Sequence, residues 1–386
     1  MDSSSVDQRS QSVPRGDINA IVGGLLRDLA FVQTSKAKMF GYKRAAAAVL
    51  TLEEPLATIF GRGQPQRRIA GIGPASTRVI LEVLDAGESP TVEAAVANSP
   101  YATEIQQRRS LRKHFLSRAE VLRILADPSY GGPSADQYLG DLQMHSEWSD
   151  GASTLDEIVD ACVGRGYQFA AVTDHSHGLK IAGGLTRDEA LQQRKAIDHL
   201  NRAQGERFWL IHGIEANMAS DGLLDLTDDE AGEFELVLAA PHSHLRKTHD
   251  QTERLVNAIR NPRVRILAHP RGRIKESRAG VLADWDIVFE AAAHEGVAIE
   301  IDGDPARQDL DFTLAARALA AGCVFALDSD AHTIAQLIYA ETAVAHARLA
   351  GIPASRIVNY WSHKRLAVWL TDRRVEASAT TTASSR

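Results

Sequence analysis

The strongest constraint in this sequence is a recurring one. Short apolar runs end, one after another, in histidine and carboxylate residues. The first stretch is Gly140-Asp141-Leu142-Gln143-Met144-His145-Ser146-Glu147-Trp148-Ser149-Asp150-Gly151. Asp141, Gln143 and His145 alternate with Leu142 and Met144, so the three polar side chains share one face of a strand. Asp150 and Gly151 then mark a turn. Comparable exits follow at Thr173-Asp174-His175-Ser176-His177, His212-Gly213-Ile214-Glu215, Pro241-His242-Ser243-His244, Leu267-Ala268-His269-Pro270 and Asp328-Ser329-Asp330-Ala331-His332.

Strands are expected at Tyr138–His145, Phe169–Thr173, Phe208–Glu215, Glu235–Ala240, Val264–Ala268, Ala298–Ile301 and Cys323–Leu327. Helical patterns lie between them, for example Thr154–Arg165 and Ala306–Ala321. Thr154 and Glu157 have the spacing of a capping box. Strands that alternate with helices argue a distorted seven-stranded β/α barrel. In a parallel barrel all strand exits face one end, so donors from six strands would meet there.

That donor set points to metal. Imidazoles and carboxylates crowded into one pocket repel or desolvate one another unless cations lie between them. Mixed nitrogen and oxygen donors suit Zn, Mn or Fe. A carboxylate can bridge two such ions, and ions about 3.5–4 Å apart can clamp the attacking and leaving oxygens of a phosphoester. Nucleophilic serine or cysteine chemistry is disfavoured: no serine sits in a nucleophile elbow. Cys162 and Cys323 lie far apart in apolar surroundings and read as reduced core residues.

Charge and targeting signals add little. Residues 1–125 hold 17 Lys+Arg against 12 Asp+Glu, and the remainder holds 26 against 38. A mildly basic arm thus precedes an acidic body in which 13 of the 14 histidines lie. No signal peptide and no apolar run of about 18 residues is visible, so a cytoplasmic protein is expected.

Ahead of the barrel, residues 1–16 are polar and expected to be disordered. Ile18, Ile21, Leu25, Leu29 and Val32 then recur on one helical face. Further helices are expected over Met39–Leu50 and Glu53–Ile59. In Ile69-Ala70-Gly71-Ile72-Gly73-Pro74-Ala75-Ser76-Thr77-Arg78-Val79-Ile80, two glycines flank one apolar residue just before a periodic segment. Such a turn presents helix-start amides that can hold a phosphate, so Gly71, Gly73 and Ala75 are candidate contacts to a DNA backbone. Arg108, Arg109, Arg112, Lys113, Arg118 and Arg123 read as a solvated helix face in preference to a DNA-binding stripe. The expected organisation is a helical domain over 17–125, a linker over 126–137, the barrel over 138–370 and a disordered tail over 371–386. Trp361, His363 and Trp369 are expected to close the fold.

Two resemblances follow from these motifs. Residues 17–90, through Phe40-Gly41-Tyr42-Lys43-Arg44, the Gly71-Ile72-Gly73 turn and Glu82-Val83-Leu84-Asp85-Ala86-Gly87, resemble the helix-hairpin-helix region of family X DNA polymerases. The resemblance puts Val79 where lyase-active members carry their Schiff-base lysine, and Arg78 stays protonated, so no lyase activity is expected. The 50 or so residues before Gly140 leave no room for a polymerase palm. Residues 138–345 resemble the PHP (polymerase and histidinol phosphatase) family, whose members are seven-stranded β/α barrels holding two or three metals. The resemblance implies a first ion on Gln143, His145, Glu215 and Asp330, a second on Glu215, His242 and His269, and a third on Asp150, His175 and His332. Asp141 and Asp174 would orient their neighbours. Gln143 departs from the family's usual histidine and is the weaker ligand. His145, Glu215, His242, Asp330 and Arg271 would carry catalysis. Of the cations that follow the strand exits (Lys180, Arg246, Lys247, Arg271, Arg273), the Pro270-Arg271-Gly272-Arg273 segment is the favoured phosphate contact. His177, His244 and His249 are extra histidines at the mouth.

The expectation is a metal-dependent phosphoesterase acting on DNA, a 3′→5′ exonuclease or 3′-end processing enzyme in repair. The alternatives are a small-molecule phosphatase of the histidinol-phosphate type and a non-catalytic DNA-binding protein.

Overall fold

The apolar periodicity of the first third of the chain folds into helices: α1 (Ile18–Val32), α2 (Lys36–Thr51), α3 (Leu56–Phe60), α4 (Pro74–Ala86), α5 (Pro90–Ala97) and α6 (Ala102–Leu111), followed by α7 (Arg118–Ala126). These come from a computed structural model, which describes residues 16–61 and 67–372. The expected disordered ends lie, but for a few residues, outside that range. The chain divides into two units, Met1–Ser110 with Leu116–Glu120, and Leu111–Phe115 with Val121–Arg386. The division runs inside α7, upstream of the expected linker.

In the first unit the helices share a core of Val22, Leu26, Val49, Leu56, Val79, Ile80, Val83 and Ile105. Asp17 caps α1, its Oδ1 accepting from Ala20 N at 2.9 Å. Gly71 turns with φ +85°, a left-handed value that glycine adopts freely. Gly73 then precedes α4, and no side chain caps that helix start. The arginines of the following helices are paired. Arg109 binds Asp28 and Glu93, each at 2.7 Å.

In the second unit seven strands form one parallel sheet in sequence order. They are β1 (Gly140–Asp141), β2 (Phe169–Val172), β3 (Trp209–Asn217), β4 (Leu236–Ala240), β5 (Val264–Leu267), β6 (Ala298–Asp302) and β7 (Phe325–Asp328). Between and after them run α8 (Leu155–Gly164), α9 (Arg187–Gln204), α10 (Asp228–Ala231), α11 (Thr252–Arg260), α12 (Trp285–Glu295), α13 (Phe312–Ala320), α14 (Ala340–Leu349) and α15 (His363–Thr371). The Thr154–Glu157 capping box forms at the start of α8. Alternate strand residues pack two ways. Val172, Leu210, Ile214, Val237 and Ile299 meet the surrounding helices. Phe169, Ala171, Ile211, Leu236, Leu238, Ile266 and Ala326 fill the lumen, which Trp361 and Trp369 of the C-terminal segment close. None of the described helices is long and apolar enough to cross a membrane.

Two elements differ from expectation, both with consequences for the site. The first strand pairs over only two residues. The helix expected from Ala306 starts at Phe312, because Asp311 accepts from Thr313 N and Leu314 N and caps it there. Residues 303–311 are thereby left as a loop at the barrel mouth.

The seam between β1 and β7 is sewn by side chains in place of a ladder. Met144 and Ala331 form a single bridge. Below it, Asn359 Oδ1 accepts from Leu327 N at 2.7 Å. Asn359 Nδ2 lies 2.9 Å from Gly140 O, 3.0 Å from Leu327 O and 2.8 Å from Asp328 Oδ1. Asp328 Oδ1 also accepts from Leu142 N, and Asp141 Oδ1 from Ser329 N. Asn359 is fully buried. Its removal leaves several buried backbone groups unpaired, each worth about 1–3 kcal/mol. Asn359→Leu is therefore expected to lower stability by about 3 kcal/mol or more, read as a fall in the thermal unfolding midpoint. Tyr360→Phe, which loses one peripheral bond to Ser134 O, should have a much smaller effect.

Candidate metal centre

Strand parity aims the donors. Ile211 and Glu215 are four apart on β3, so Glu215 follows Ile211 into the lumen. His242 continues the inward parity of Leu236, Leu238 and Ala240. His269 breaks parity after Ala268 and is turned by φ +25°. Asp330 sits at φ +51°, also in the left-handed region that non-glycine residues seldom occupy.

Glu215 is the hub. Its Oε1 lies 2.7 Å from His269 Nε2 and 3.2 Å from His242 Nε2. Its Oε2 lies 2.9 Å from His175 Nδ1 and 3.5 Å from His145 Nε2. His145 Nε2 also lies 3.1 Å from Asp330 Oδ1. A second cluster surrounds Asp150. Its Oδ1 is 3.5 Å from His175 Nε2, 3.5 Å from His332 Nε2 and 3.8 Å from His145 Nδ1. The rings of His175 and His332 both stack on His145, with centroids 4.4 Å apart. His175 presents one ring nitrogen to each cluster. Two groups of donors, His145 with Asp150, His175 and His332, and His175 with Glu215 and His242, have the mutual spacing of cation sites.

The donor chemistry fits divalent cations. Gln143 is buried with neither Oε1 nor Nε2 hydrogen-bonded, and Glu215 Oε2, His175 Nδ1, His145 Nδ1 and His269 Nδ1 also lack hydrogen-bond partners. His175 Nδ1 and Glu215 Oε2 are 2.9 Å apart yet off hydrogen-bond geometry, as two ligands of a common centre would be.

Charge is balanced within the cluster. Burial opposes ionisation of Glu215, but His175 and His242 outweigh it and hold the carboxyl well below its usual range. Burial also works against the His175 imidazolium, yet Glu215 and Asp150 raise its pKa to about 10. His332 is likewise raised, against burial, to about 9 by Asp150 and Asp330. Burial pushes His242 down. Its Nδ1 meets Asn217 Oδ1 at 2.6 Å, and Asn217 is in turn held by Asp225. That chain fixes the tautomer that leaves Nε2 free to face Glu215. Asp174 accepts from Ser146 N, Ser146 Oγ, Ser149 Oγ and Gln193 Nε2, and so anchors the loop that carries Asp150.

Some expected residues lie elsewhere. Arg271 does not reach the donors; its guanidinium is taken by Asp311 at 3.0 Å and by Ala279 O. Arg273 is buried against Asp311, Arg307 O and Gln308 O, over the Phe115 ring. The cation that meets the donors is Arg307, whose Nε lies 3.2 Å from Asp330 Oδ2 and 3.5 Å from Asp302 Oδ2. Arg307 falls in the segment whose pattern predicts a helix from Ala306, and no motif marks it. His212 is three residues from Glu215, of opposite parity, and packs outward on Phe234. Parity alone could have signalled this. Asn217 and Asp225 gave no motif.

A nitrogen- and oxygen-rich donor set at the C-terminal mouth of a parallel β/α barrel defines a candidate site for divalent-cation chemistry. Residues 141–299 match the PHP domain family. The chain is 40% identical over 235 residues, 61% of its length, to the DNA polymerase/3'-5' exonuclease PolX of Bacillus subtilis (strain 168), of which it spans only 41%. It is 28% identical over 230 residues to a probable phosphatase of Syntrophotalea carbinolica, covering 57% of this chain and 90% of that protein. Among solved structures, the histidinol phosphate phosphatase of Lactococcus lactis overlaps 54% of this chain and 92% of its own, at 15% identity and a TM-score of 0.39.

Two expected outcomes follow. At neutral pH the raised His175 and His332 hold protons that a cation must displace, so Mn²⁺ or Zn²⁺ affinity should rise from about pH 6 to pH 9. Calorimetry in buffers of different ionisation enthalpy should show proton release, whereas pH-independent binding would contradict the assignment. Gln143→His should tighten metal occupancy, measured after dialysis against a chelator; unchanged occupancy would mean residue 143 is not a ligand.

Proposed function

We propose that this protein is a metal-dependent nuclease that shortens or processes the 3′ ends of DNA. The observation that carries the reading is the Glu215 hub, one buried carboxylate facing four imidazoles, in a chain that shares 40% identity over 235 residues with a relative named polymerase and 3'-5' exonuclease. Gln143, His145, Glu215 and Asp330 would hold one divalent cation, Glu215, His242 and His269 a second, and Asp150, His175 and His332 a third. The cations would supply Lewis acidity toward a phosphoester and lower the pKa of water.

The chain's own groups set the geometry. Glu215 offers one oxygen to each side of the hub and keeps the two halves in register. Asn217 holds the His242 tautomer. Arg307 neutralises the Asp330 oxygen that faces away from His145 and lies where charge builds on phosphoryl oxygens.

The helical unit supports a nucleic-acid substrate. A cavity of about 580 Å³ is lined by Lys38, Tyr42, Arg44, Gly71, Gly73 and Ala75. It sets two basic side chains beside the uncapped start of α4, a combination suited to a phosphate. A second reading, a phosphatase of small phosphomonoesters, is favoured by the probable phosphatases, of which this chain covers 88–90% in several cases.

Hydrolysis of a 5′-labelled single-stranded oligonucleotide with Mn²⁺, beside Glu215→Ala, tests the proposal. A ladder of shortened products from the wild type alone is expected, with a steep loss of rate as salt rises. An intact strand together with phosphate release from small monoesters would favour the phosphatase.

A further inference from the structure

Three loops at the barrel mouth carry arginines, and two of these bind carbonyls and a hydroxyl in place of a carboxylate. The loop after β4 carries Arg246, which grips Ser277 O at 2.8 Å and Ser277 Oγ at 2.9 Å. The next residue, Arg278 in the loop after β5, donates from Nε to Gly272 O at 2.7 Å. The loop after β6 carries Arg307, which reaches Asp330 and Asp302. The loops are laced together: Lys275 N donates to Ala306 O and Arg273 Nε to Arg307 O.

Nearby acids are already committed. Asp311 is shared by Arg271 and Arg273, and Glu276 is paired with Arg112. Burial pushes Asp309 toward its neutral form. The Arg278 guanidinium is pulled down by burial and by repulsion from Arg307 and Arg246, and Ser277, the residue before it, is the one that Arg246 grips. Arg246 and Arg278, held by carbonyls and a hydroxyl, keep their positive charge for an incoming anion, while Arg307 shares its own with Asp330 and Asp302.

We propose that Arg246, Arg278 and Arg307 form a binding site for a second, uncleaved phosphate, so that the centre selects phosphodiester chains over isolated phosphate esters. This rests on the barrel mouth being a phosphoester-cleaving centre. Arg307 touches Asp330, a donor of that centre, and its loop is tied through Lys275 N and Ala306 O to the loop that carries Arg278. A chain whose scissile phosphate lies on the donor set would place its neighbouring phosphate on the triad. A monoester has no group to put there.

The test uses the full chain with Mn²⁺ and two dinucleotides, one thymidine dinucleotide with a 5′-phosphate and one without. Both have one phosphodiester bond, whose cleavage is read as release of thymidine 5′-phosphate from the 3′ end, and only the first has a second phosphate. The wild type should favour the phosphorylated form by about tenfold in kcat/KM, the scale of one charge-assisted contact. In R246A/R278A that ratio should fall toward one, and in R246K/R278K, which keeps the charge, it should stay well above one. An unchanged ratio in the alanine pair would overturn the proposal. So would an equal loss in both pairs with a lowered unfolding temperature, because the arginines would then only be lacing the loops. Cleavage of neither dinucleotide by the wild type would instead remove the nuclease reading. The triad is then judged by competitive binding of pyrophosphate and orthophosphate to the metal-loaded protein. A wild-type preference for pyrophosphate that is absent from R246A/R278A supports it, and equal preference in both overturns it.

Discussion

A single carboxylate holds this structure's functional half together. Glu215 sits in the lumen on β3 with His145, His175, His242 and His269 within 3.5 Å, drawn from four other strand exits. A lone buried anion would carry a desolvation penalty of several kcal/mol. Here the imidazoles offset it, and they can do so only because the barrel delivers all of them to one point. The left-handed φ at His269 belongs to the same demand, since it must turn inward after a strand whose pleat would not aim it there.

Beneath the hub lies a second polar layer that is as important to the fold as to the site. Asp141, Glu300 and Asp328 are fully buried, and burial raises all three carboxyl groups. Glu300 accepts from His269 N, and Asp328 and Asp141 pair backbone amides across the seam. The same residues therefore support the ligand-bearing turns and replace the missing ladder between β1 and β7. Closure and site geometry are coupled through Asn359, which touches β1, β7 and Asp328.

Charge is segregated around the mouth in a way that composition hides. The arginines after β5 split by role. Arg271 and Arg273 are spent on Asp311, while Arg278 remains directed by carbonyls. Among the described arginines Arg307 is the one that pairs with Asp330, and it does so from a loop that exists because Asp311 delays the start of α13. A cap four residues downstream thus decides which guanidinium faces the donors.

How much of this was legible in the sequence depends on the range of the interaction. The alternation of short apolar runs with amphipathic helices named the parallel barrel, because strand and helix periods are local properties. The donor types at the strand exits were legible for the same reason: His145, Glu215, His242, His269, Asp330 and the Asp150 group each end or follow an apolar run. His212 and Glu215 were legible only as one exit, which the structure splits between two faces of β3. What the sequence could not decide were pairings across the barrel. The two-residue β1, the Asn359 seam, the Asp225–Asn217–His242 chain and the exchange of Arg271 for Arg307 all join residues distant in the chain or depend on where one cap falls. Such contacts are chosen by geometric closure, which no local pattern encodes.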